Sequence, residues 1–342
     1  MSRTPSQAVS LRDVAHAAET SVATVSRVLN HSGYVSAEVR KRVEKAAQGI
    51  GYVPNFSARH LKTGRSKAIG FMVSNMANPF LSAFFAAVEA RLQSEGFSVL
   101  VGSTFDQPQR EAQLLHLFEN RRLEGVFVSP SREDLPAAQD AFARCKLPLV
   151  VLDRETGFEA DAICQDHRQG VATAVDYLVS LGHRRIALFG PNPAIRPGRE
   201  KLLGYRDGLR RADIGYDEAL VCMLSSAIES SAAQMDAMLA LEAPPTALIA
   251  LGTRLLSGAL RSARERGLRI PAQLSVVGIG TDDAFALMDP PLTTLRFDIE
   301  GAAHAAAELM LERVEGRAPE ARRSVHVPLA LTIGASCAAP AR

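Results

Sequence analysis

The chain has 342 residues, of which 47% are hydrophobic and 22% charged, and its formal net charge at pH 7 is +2. This length exceeds one ordinary domain, and no apolar run approaches the ~18 to 20 residues that a membrane span needs. The N-terminus lacks the apolar segment of a secretory signal, which favours a cytoplasmic protein that does not contact a membrane. The four cysteines are scattered without a CxxC pair, which disfavours a zinc site. No other metal ion or cofactor is expected.

The clearest pattern near the N-terminus is the segment LRDVAHAAETSVATVSRVLN, residues 11–30. Apolar residues recur at helical spacing on both sides of a short break, and Ser21 stands where an N-cap belongs. Two short helices packed crosswise form a helix-turn-helix, which presents the start of its second helix to a major groove. A third helix is predicted for residues 36–48, with Ser36 as its cap.

The charges of the chain are unevenly distributed. Residues 1–67 hold 11 Lys and Arg against 4 Asp and Glu, whereas the remaining 275 residues hold 28 against 33. A basic segment attracts polyanions through counterion release, and a mildly acidic one does not. Double-stranded DNA is therefore the first expected partner, and it should bind the N-terminal segment.

The helical pattern of residues 1–53 ends near Gly51 and Pro54, and a short basic linker follows at residues 54–67. From residue 68 onward, buried-strand runs alternate with amphipathic helices, which specifies doubly wound parallel sheets. There are too many strands for one small domain, so residues 68–342 should form two α/β lobes. The expected first lobe covers about 68–162 and 296–323, the second about 163–293 and 326–336, and residues 161–165 form a crossing. One final strand is expected at residues 325–331.

Catalytic signatures are missing from this α/β body. The sequence contains no GxGxxG after its first strand, no GxxxxGK[ST], no GxSxG and no HExxH. The eight histidines form no obvious metal cluster, and His183 is expected to be a structural loop residue, with a general base as the alternative. The sequence therefore predicts a protein that is not an enzyme.

The chain resembles the LacI/GalR (lactose-repressor) family of bacterial transcription factors from about Ser10 to Ser336. The resemblance is carried by an ordered series of motifs: DVA (13–15), SVATVSRVLN (21–30), GYVPN (51–55), ARHLKTGRS (58–66), IG (69–70), NPF (78–80), DR (153–154), GHRRIA (182–187), GY (204–205), SVVG (275–278) and PPLTT (290–294). It implies an all-α helix-turn-helix head, a hinge helix and a two-lobed body like that of periplasmic binding proteins. A sequence-specific transcriptional regulator, most often a repressor, is the expected function.

The resemblance implies which residues of the head contact DNA. Val22, Ala23 and Arg27 match the positions that face base edges, and Arg27 can bind a guanine edge with two hydrogen bonds. The alternatives are core packing for Val22 and a solvated charge for Arg27. Phosphate contacts are implied for Ser21, Thr24, Ser26 and Asn30.

The linker matches a hinge helix that inserts an apolar wedge into the central minor groove. Leu61 occupies the wedge position, and an ordinary linker residue is the alternative. The same resemblance places Tyr52, Asn55, Arg59 and Lys62 at the DNA. One departure lies in the turn of the helix-turn-helix, which usually carries Gly or Asn where this chain has Glu19. If that position requires a positive φ, Glu19 is strained and also places a negative charge near DNA.

The resemblance also implies an effector cleft between the lobes. Its implied lining residues are Phe80, Leu81, Asp153, Arg154, Lys201, Thr253 and Gly280. Relatives often have Asn-Asp at one position of the cleft and Asp-Asp at another. This chain has Gly-Thr at both, as residues 252–253 and residues 280–281. The lost carboxylates normally bind polyol hydroxyls, and several cations match nearby positions: Arg154, Arg196, Arg199, Lys201 and Arg254. We therefore expect a sugar or an anionic sugar derivative; in the alternative, these cations face solvent and Asp282-Asp283 restore the acidity.

A single helix-turn-helix contacts few base pairs, so we expect a homodimer that reads a palindromic operator. The first-lobe helix near residues 80–91 is the implied dimer face, and no Leu heptad follows Ser336 to build a tetramer. Ligand binding should move the lobes and make or melt the hinge helices, in a direction that the sequence leaves open. Two other functions stay open: a solute-binding protein of periplasmic type, and a DNA-binding regulator with a vestigial cleft.

Overall fold

The computed structural model describes residues 9–29, 33–52, 65–134, 136–224, 231–280, 285 and 287–341. The chain divides into two compact units, residues 1–66 and residues 67–342. Each unit packs around an apolar core of its own.

The N-terminal unit consists of three helices: α1 (Leu11–Ala17), α2 (Val22–Leu29) and α3 (Ala37–Gly49). Their apolar faces meet in one small core, to which each helix contributes fully buried valines: Val14, Val25, Val28 and Val43. Ser10 begins α1 with a capping box in which it exchanges hydrogen bonds with Asp13, and Ser36 caps α3. The predicted helices are thus present, and Ser36 has the predicted role.

The turn between α1 and α2 has the geometry of a Schellman motif. Glu19 adopts a φ of 47°, and the amide of Thr20 donates to the carbonyl oxygen of Ala15 at 3.0 Å. Arg42 of α3 donates from Nε to the carbonyl oxygen of Ala18 at 2.9 Å, which ties the same turn to the third helix. The positive φ that would strain a non-glycine residue at position 19 is therefore present.

The first lobe of the larger unit is built on a six-stranded parallel sheet. Its strands are β1 (Ala68–Val73), β2 (Ser98–Ser103), β3 (Gly125–Val128), β4 (Leu149–Leu152), β5 (Asp161–Gln165) and β11 (Ser324–Val327). They lie in the order β11-β5-β4-β3-β1-β2, which leaves β2 at an edge. The flanking helices are α4 (Pro79–Ser94), α5 (Pro108–Asn120), α6 (Pro136–Arg144) and α11 (Ile299–Val314).

The second lobe repeats this plan. Its strands are β6 (Ile186–Pro191), β7 (Val221–Leu224), β8 (Ala247–Ala250), β9 (Ser275–Ile279), β10 (Thr293–Phe297) and β12 (Leu329–Thr332), in the order β12-β10-β9-β8-β6-β7. All neighbours are parallel except the antiparallel pair of β10 and β12. The helices are α7 (His167–Ser180), α8 (Arg196–Arg211), α9 (Ala232–Leu239) and α10 (Thr253–Glu265).

Sheet membership differs from the predicted lobe limits at the crossings. β5 belongs entirely to the first sheet, so the chain enters the second lobe after Gln165. The single strand predicted at 325–331 is wrong: β11 pairs with β5 in the first sheet, and β12 pairs with β10 in the second. Pro328 separates the two strands, and because proline has no N–H for a ladder it marks the point of transfer.

Helices α7 and α8 pack very closely against each other, and this packing determines where the residues at their N-terminal ends lie. A Cβ atom on Gly204 of α8 would overlap the carbonyl oxygen of Arg168, and one on Gly208 would overlap Val175. Glycine at these two positions therefore lets α8 approach the backbone of α7 and holds His167 close to the first turns of α8.

His183 has the structural role that its loop position predicts. Its ring is 1% exposed, with Nδ1 at 2.8 Å from Thr246 Oγ1 and Nε2 at 2.9 Å from both Ser275 Oγ and the carbonyl oxygen of Ala338. Burial lowers the pKa of this ring, so it joins three segments of the second lobe as a neutral group.

Within the described part of the chain, no helix combines the length and the apolar character needed to cross a membrane.

Candidate functional sites: a helix face and an interlobe cleft

The exposed face of α2 carries the residues that the helix-turn-helix resemblance singles out. Ser21 accepts a hydrogen bond from the amide of Thr24 at 3.1 Å, and the two hydroxyls lie 2.9 Å apart, so Ser21 caps α2 as predicted. Val25 and Val28 face the core, whereas Ser21, Ala23 and Arg27 are exposed. Val22 is 41% exposed, so the alternative that it packs in the core is wrong.

The other residues expected at the DNA are only partly described. Thr24 and Ser26 are half-buried on α2, and Tyr52 packs partly against the core of the N-terminal unit. The amide of Tyr52 donates to the carbonyl oxygen of Ala47, which ends α3. Five predicted positions lie outside the described residues: Asn30, Asn55, Arg59, Leu61 and Lys62.

The interlobe cleft lies at the carboxyl ends of the strands, and Asp153 is its central acceptor. Asp153 follows β4 with a φ of 53°, in the left-handed region, which orients its carboxylate toward the second lobe. Its Oδ1 accepts from Arg196 Nη1 at 2.6 Å and from the amide of Gln165 at 3.2 Å, and its Oδ2 lies 2.7 Å from His167 Nε2. One carboxylate of the first lobe thus binds two side chains of the second.

The electrostatic balance keeps Asp153 ionised. Burial by itself raises the pKa of this carboxyl, but His167, Arg196 and Arg154 outweigh burial and hold it well below its usual range. For His167 the balance is reversed, since burial lowers the pKa of the ring more than the Asp153 carboxylate raises it. The pair is therefore a neutral imidazole that donates from Nε2 to an ionised carboxylate.

A second set of ion pairs crosses the cleft beside the first. Glu133 of the first lobe accepts from the amide of Arg196 at 2.8 Å and from Arg199 Nη2 at 3.0 Å. The same Arg199 nitrogen lies 2.7 Å from Glu155. Arg196 and Arg199, which we expected to meet an anionic ligand, are therefore already paired with carboxylates of the protein.

Arg154 points into the first lobe. It donates from Nε to the carbonyl oxygen of Pro130 at 2.8 Å and from Nη1 to the carbonyl oxygen of Asp153, the preceding residue, at 2.9 Å. Burial lowers the pKa of this guanidinium, and the carboxylates of Asp153, Glu133, Asp106 and Glu111 counteract the effect. Arg154 thus acts chiefly as a brace for the loops that follow β3 and β4.

Lys201 on α8 is buried, with 6% of its surface exposed. Its Nζ lies 3.4 Å from the carbonyl oxygen of Leu251, and it forms no ion pair with any of the described residues. Burial lowers its pKa to about 8, although Asp153 acts in the opposite direction. A buried ammonium with one long hydrogen bond still has donors to offer.

Two aromatic rings close one side of the cleft. Phe80 of α4 and Phe297 at the end of β10 lie with ring centroids 4.7 Å apart, and Phe297 stands edge-on to His167 at 6.2 Å. Both rings are half-buried, so they offer an apolar wall beside His167. Leu81 packs instead against the apolar core of the first lobe.

Thr253 and Gly280 follow the ends of β8 and β9 in the second lobe. Thr253 is the first residue of α10, and Gly280 has a φ of 151°, which L-residues rarely adopt. A Cβ atom at position 280 would also overlap the ring of Phe285. The local backbone therefore excludes a carboxylate side chain from this position.

The structure places Asp153, Arg154 and Lys201 close enough to interact electrostatically, while Arg254 is exposed. Sequence reasoning did not assign His167, Glu133 or Phe297 to the cleft. Phe297 ends a strand, and His167 and Glu133 follow the carboxyl ends of two others; that position was the available signal. Within the described ranges no group of acidic, histidine or cysteine side chains is arranged to hold a metal ion.

Comparison with known proteins confirms the predicted architecture. A family model described as bacterial regulatory proteins, lacI family, matches residues 10–55, and one described as a periplasmic binding protein-like domain matches residues 175–337. The HTH-type transcriptional repressor CytR of Escherichia coli (strain K12) is 31% identical over 312 residues, 91% of each chain. The ribose operon repressor of Haemophilus influenzae is 28% identical over 306 residues, 89% of this chain and 92% of that repressor.

Solved structures agree with these matches. The lac repressor dimer bound to operator and the anti-inducer ONPF has 29% sequence identity and a TM-score of 0.84, over 97% of this chain and 100% of that one. The complex of the transcriptional regulator CelR with cellobiose has 27% identity and a TM-score of 0.71, over 96% of this chain and 99% of that one. The helix-turn-helix unit and the two-lobed α/β body are thus both shared with regulators of transcription.

Proposed function

The chain belongs to the lacI family of bacterial regulatory proteins and is a DNA-binding transcriptional regulator, and from this premise we propose how its residues read DNA. Val22, Ala23 and Arg27 contact base edges in the major groove from the exposed face of α2. Arg27 binds a guanine, which is worth about 1–3 kcal/mol of discrimination, and Val22 and Ala23 offer apolar contact to a thymine methyl. The exposure of Val22, Ala23 and Arg27 on one face of α2 carries this proposal.

Phosphate contacts then hold the helix in register. Ser21, Thr24 and Ser26 lie on or beside the same face of α2, and we assign Asn30 to this role as well. Residues 54–67 serve as the hinge between the DNA-binding unit, residues 1–53, and the body, residues 68–342. Within the hinge we assign the wedge to Leu61 and backbone contacts to Asn55, Arg59 and Lys62, with Tyr52 at its start.

The regulator functions as a homodimer on a palindromic operator. β2 forms an edge of the first sheet, and Val101 is 43% exposed on the face of the sheet that α4 covers. Beside it, α4 exposes the small residues Ala83, Ala86 and Ala90, which let a second helix approach closely. This exposed apolar face of the first lobe supports the dimer face that the resemblance implies. In the similar lac repressor structure, a dimer is bound to operator.

The cleft serves as the effector site, and its occupant changes the affinity for DNA. The side chains there come from both lobes, so a ligand that binds between them alters how the lobes meet. In the related CelR complex the bound molecule is cellobiose. We propose a sugar or sugar derivative for this chain, repression as its action, the cytoplasm as its location, and no catalytic activity.

A second candidate is a regulator that needs no effector. The observation that favours it is the pairing of Arg196 and Arg199 with Asp153 and Glu133, since these ion pairs already join the lobes. A solute-binding protein of periplasmic type is disfavoured by the helix-turn-helix unit, which a transport protein does not use.

The decisive experiment selects binding sites from a random DNA library with the full-length protein and measures affinity for the selected site by fluorescence anisotropy. A palindromic site with a central CG step is the expected result, and Arg27→Ala should lose discrimination at one position of each half-site. Sugars and sugar derivatives are then added to the complex. A change in affinity supports the effector role; unchanged affinity supports the second candidate, and binding without sequence preference would overturn the assignment of α2.

A further inference from the structure

We propose that the ligand of the cleft presents an anionic group to Lys201 and a hydroxyl or N–H donor to Nδ1 of His167. The inference rests on the proposed effector role of the cleft and adds the chemical class of the ligand. The class is a hydroxylated ring or chain that carries a carboxylate or a phosphate, such as a sugar acid or a phosphosugar.

Lys201 supplies the site for the anionic group. Its side chain is 94% buried, yet its ammonium group has one hydrogen-bond acceptor, the carbonyl oxygen of Leu251, at a long 3.4 Å among the described residues. Asp153 lies close enough to interact electrostatically, but its two oxygens are already bound by Arg196, His167 and the amide of Gln165. A buried ammonium with no ion pair to any of the described residues attracts an anion from a ligand.

His167 supplies the site for the donor. Its side chain is 2% exposed, and its Nδ1 has no hydrogen-bond partner within the described structure, whereas Nε2 lies 2.7 Å from Asp153. The Asp153 carboxylate only accepts, so Nε2 carries the proton of the neutral ring and Nδ1 presents a lone pair. Because buried polar atoms are nearly always paired, Nδ1 is an acceptor that a hydroxyl group of a ligand would satisfy.

The surroundings of these two groups restrict the rest of the ligand. The Phe80 and Phe297 rings form an apolar wall, and Phe297 stands edge-on to His167, so a sugar ring that binds His167 lies against this wall. Gly252 and Gly280 contribute no carboxylate to hold further hydroxyls, and the backbone at Gly280 excludes one. The ammonium group of Lys201 and the lone pair on Nδ1 of His167 therefore dominate recognition of the ligand.

The test measures ligand binding to the full-length protein by isothermal titration calorimetry. The probes are D-gluconate, D-glucuronate, glucose 6-phosphate and inorganic phosphate, with D-glucose as the neutral match. We expect at least one sugar acid or the phosphosugar to bind at least about tenfold more tightly than D-glucose, the effect of one charge-assisted hydrogen bond. Preference among the probes distinguishes a carboxylate from a phosphate ligand.

Variants of the two residues assign the contacts. Lys201→Met should weaken the preferred anionic probe at least about tenfold, while Lys201→Arg, which keeps the charge, should retain most of the affinity. His167→Phe should weaken the hydroxylated probes more than it weakens inorganic phosphate, which has no hydroxyl-bearing ring or chain to place against Nδ1. Circular dichroism melting of each variant checks that it is folded, and the arginine variant keeps the test valid if Lys201→Met does not fold.

A pH titration gives an independent readout. The pKa of Lys201 is about 8 without ligand, so the affinity for an anionic probe should fall as the pH rises above about 8, and the binding of D-glucose should not follow this profile.

Three results would overturn the inference: D-glucose binding as tightly as the anionic probes, anion binding that persists in Lys201→Met, or no anionic probe binding at all. The inference would also be wrong if a neutral sugar bound and its binding were lost in the double variant Asp282→Asn, Asp283→Asn, because acidic groups would then define the site. DNA binding is measured in parallel, so a failure of the ligand class is distinguishable from a failure of the regulatory function.

Discussion

Arg196 of the second lobe donates from Nη1 to Oδ1 of Asp153 in the first lobe at 2.6 Å, in a position where both side chains are largely shielded from water. The contact joins the start of α8 to the end of β4. His167, on the neighbouring helix α7, binds the other oxygen of the same carboxylate. The two lobes are therefore held together through one buried anion, and a ligand that competes for any of these groups changes the fit between the lobes.

Asp153→Asn should destabilise the body of the protein by about 3–5 kcal/mol, because it leaves Arg196 as a buried charge without its counterion. Urea denaturation followed by circular dichroism measures the effect. Asp176→Asn is the matched control, since Asp176 pairs with Arg211 at the surface and its loss should cost about 0–1 kcal/mol. A cost for Asp153→Asn as small as that of the control would contradict the role of Asp153 as the interlobe acceptor.

Glu19→Gly should stabilise the N-terminal unit by about 0.5–1 kcal/mol, because glycine adopts the observed φ of 47° without the steric penalty. Glu19→Gln keeps the strain and removes only the charge, so it should leave stability nearly unchanged. Both variants should raise the affinity for DNA at low salt, since each removes an exposed negative charge from the turn before α2. Thermal melting of the N-terminal unit measures the effect on stability, and anisotropy titrations measure the effect on DNA affinity. Equal stability of the glycine and glutamine variants would exclude backbone strain.

The sequence was sufficient for elements whose pattern is local. Apolar periodicity located α1, α2 and α3, and the cap residues Ser21 and Ser36 act as predicted. The buried runs of the body correspond to strands, because a parallel sheet covered on both faces requires continuous apolar segments. The strain at Glu19 could also be predicted, because it depends on the φ of a single residue.

What the sequence did not reveal depends on contacts between distant segments. The transfer at Pro328 between two sheets follows from which strands pair, and a run of apolar residues carries no such information. Arg196 and Arg199 appeared available to an anion because their carboxylate partners lie more than 40 residues away in the chain. His167 gave no motif. The pairing of β4 with β5 brings it to Asp153, and the packing of α7 against α8 brings it near Lys201.

Arg27→Ala should reduce specific binding to the selected operator by about 1–3 kcal/mol per half-site, while non-specific binding at the same salt concentration changes little. Lys45→Ala removes an equal charge from an exposed position on α3 and is the matched control. Anisotropy titrations against the operator and against a scrambled duplex, repeated at several salt concentrations, give the specificity ratio of each variant. A specificity ratio that Arg27→Ala leaves as unchanged as Lys45→Ala does would mean that Arg27 contributes only through its charge.

Lys201→Met should stabilise the ligand-free protein by about 2–3 kcal/mol at pH 7, because it removes a buried ammonium and keeps a side chain of similar length. The folded-state pKa of Lys201 is about 8, below the ordinary value of 10.5, so protonated Lys201 opposes folding at pH values below about 8. This penalty disappears as the pH rises from about 8 toward 10.5, since both states then carry a neutral amine. Urea denaturation at pH 6, 7 and 9.5 should therefore show an advantage of the methionine variant that shrinks with pH. Lys146→Met, at an exposed position, is the control and should show no such pH-dependent gain. If Lys201→Met destabilises the protein at every pH, the ammonium already has its counterion in the folded chain, and the cleft has no unpaired cation to offer a ligand.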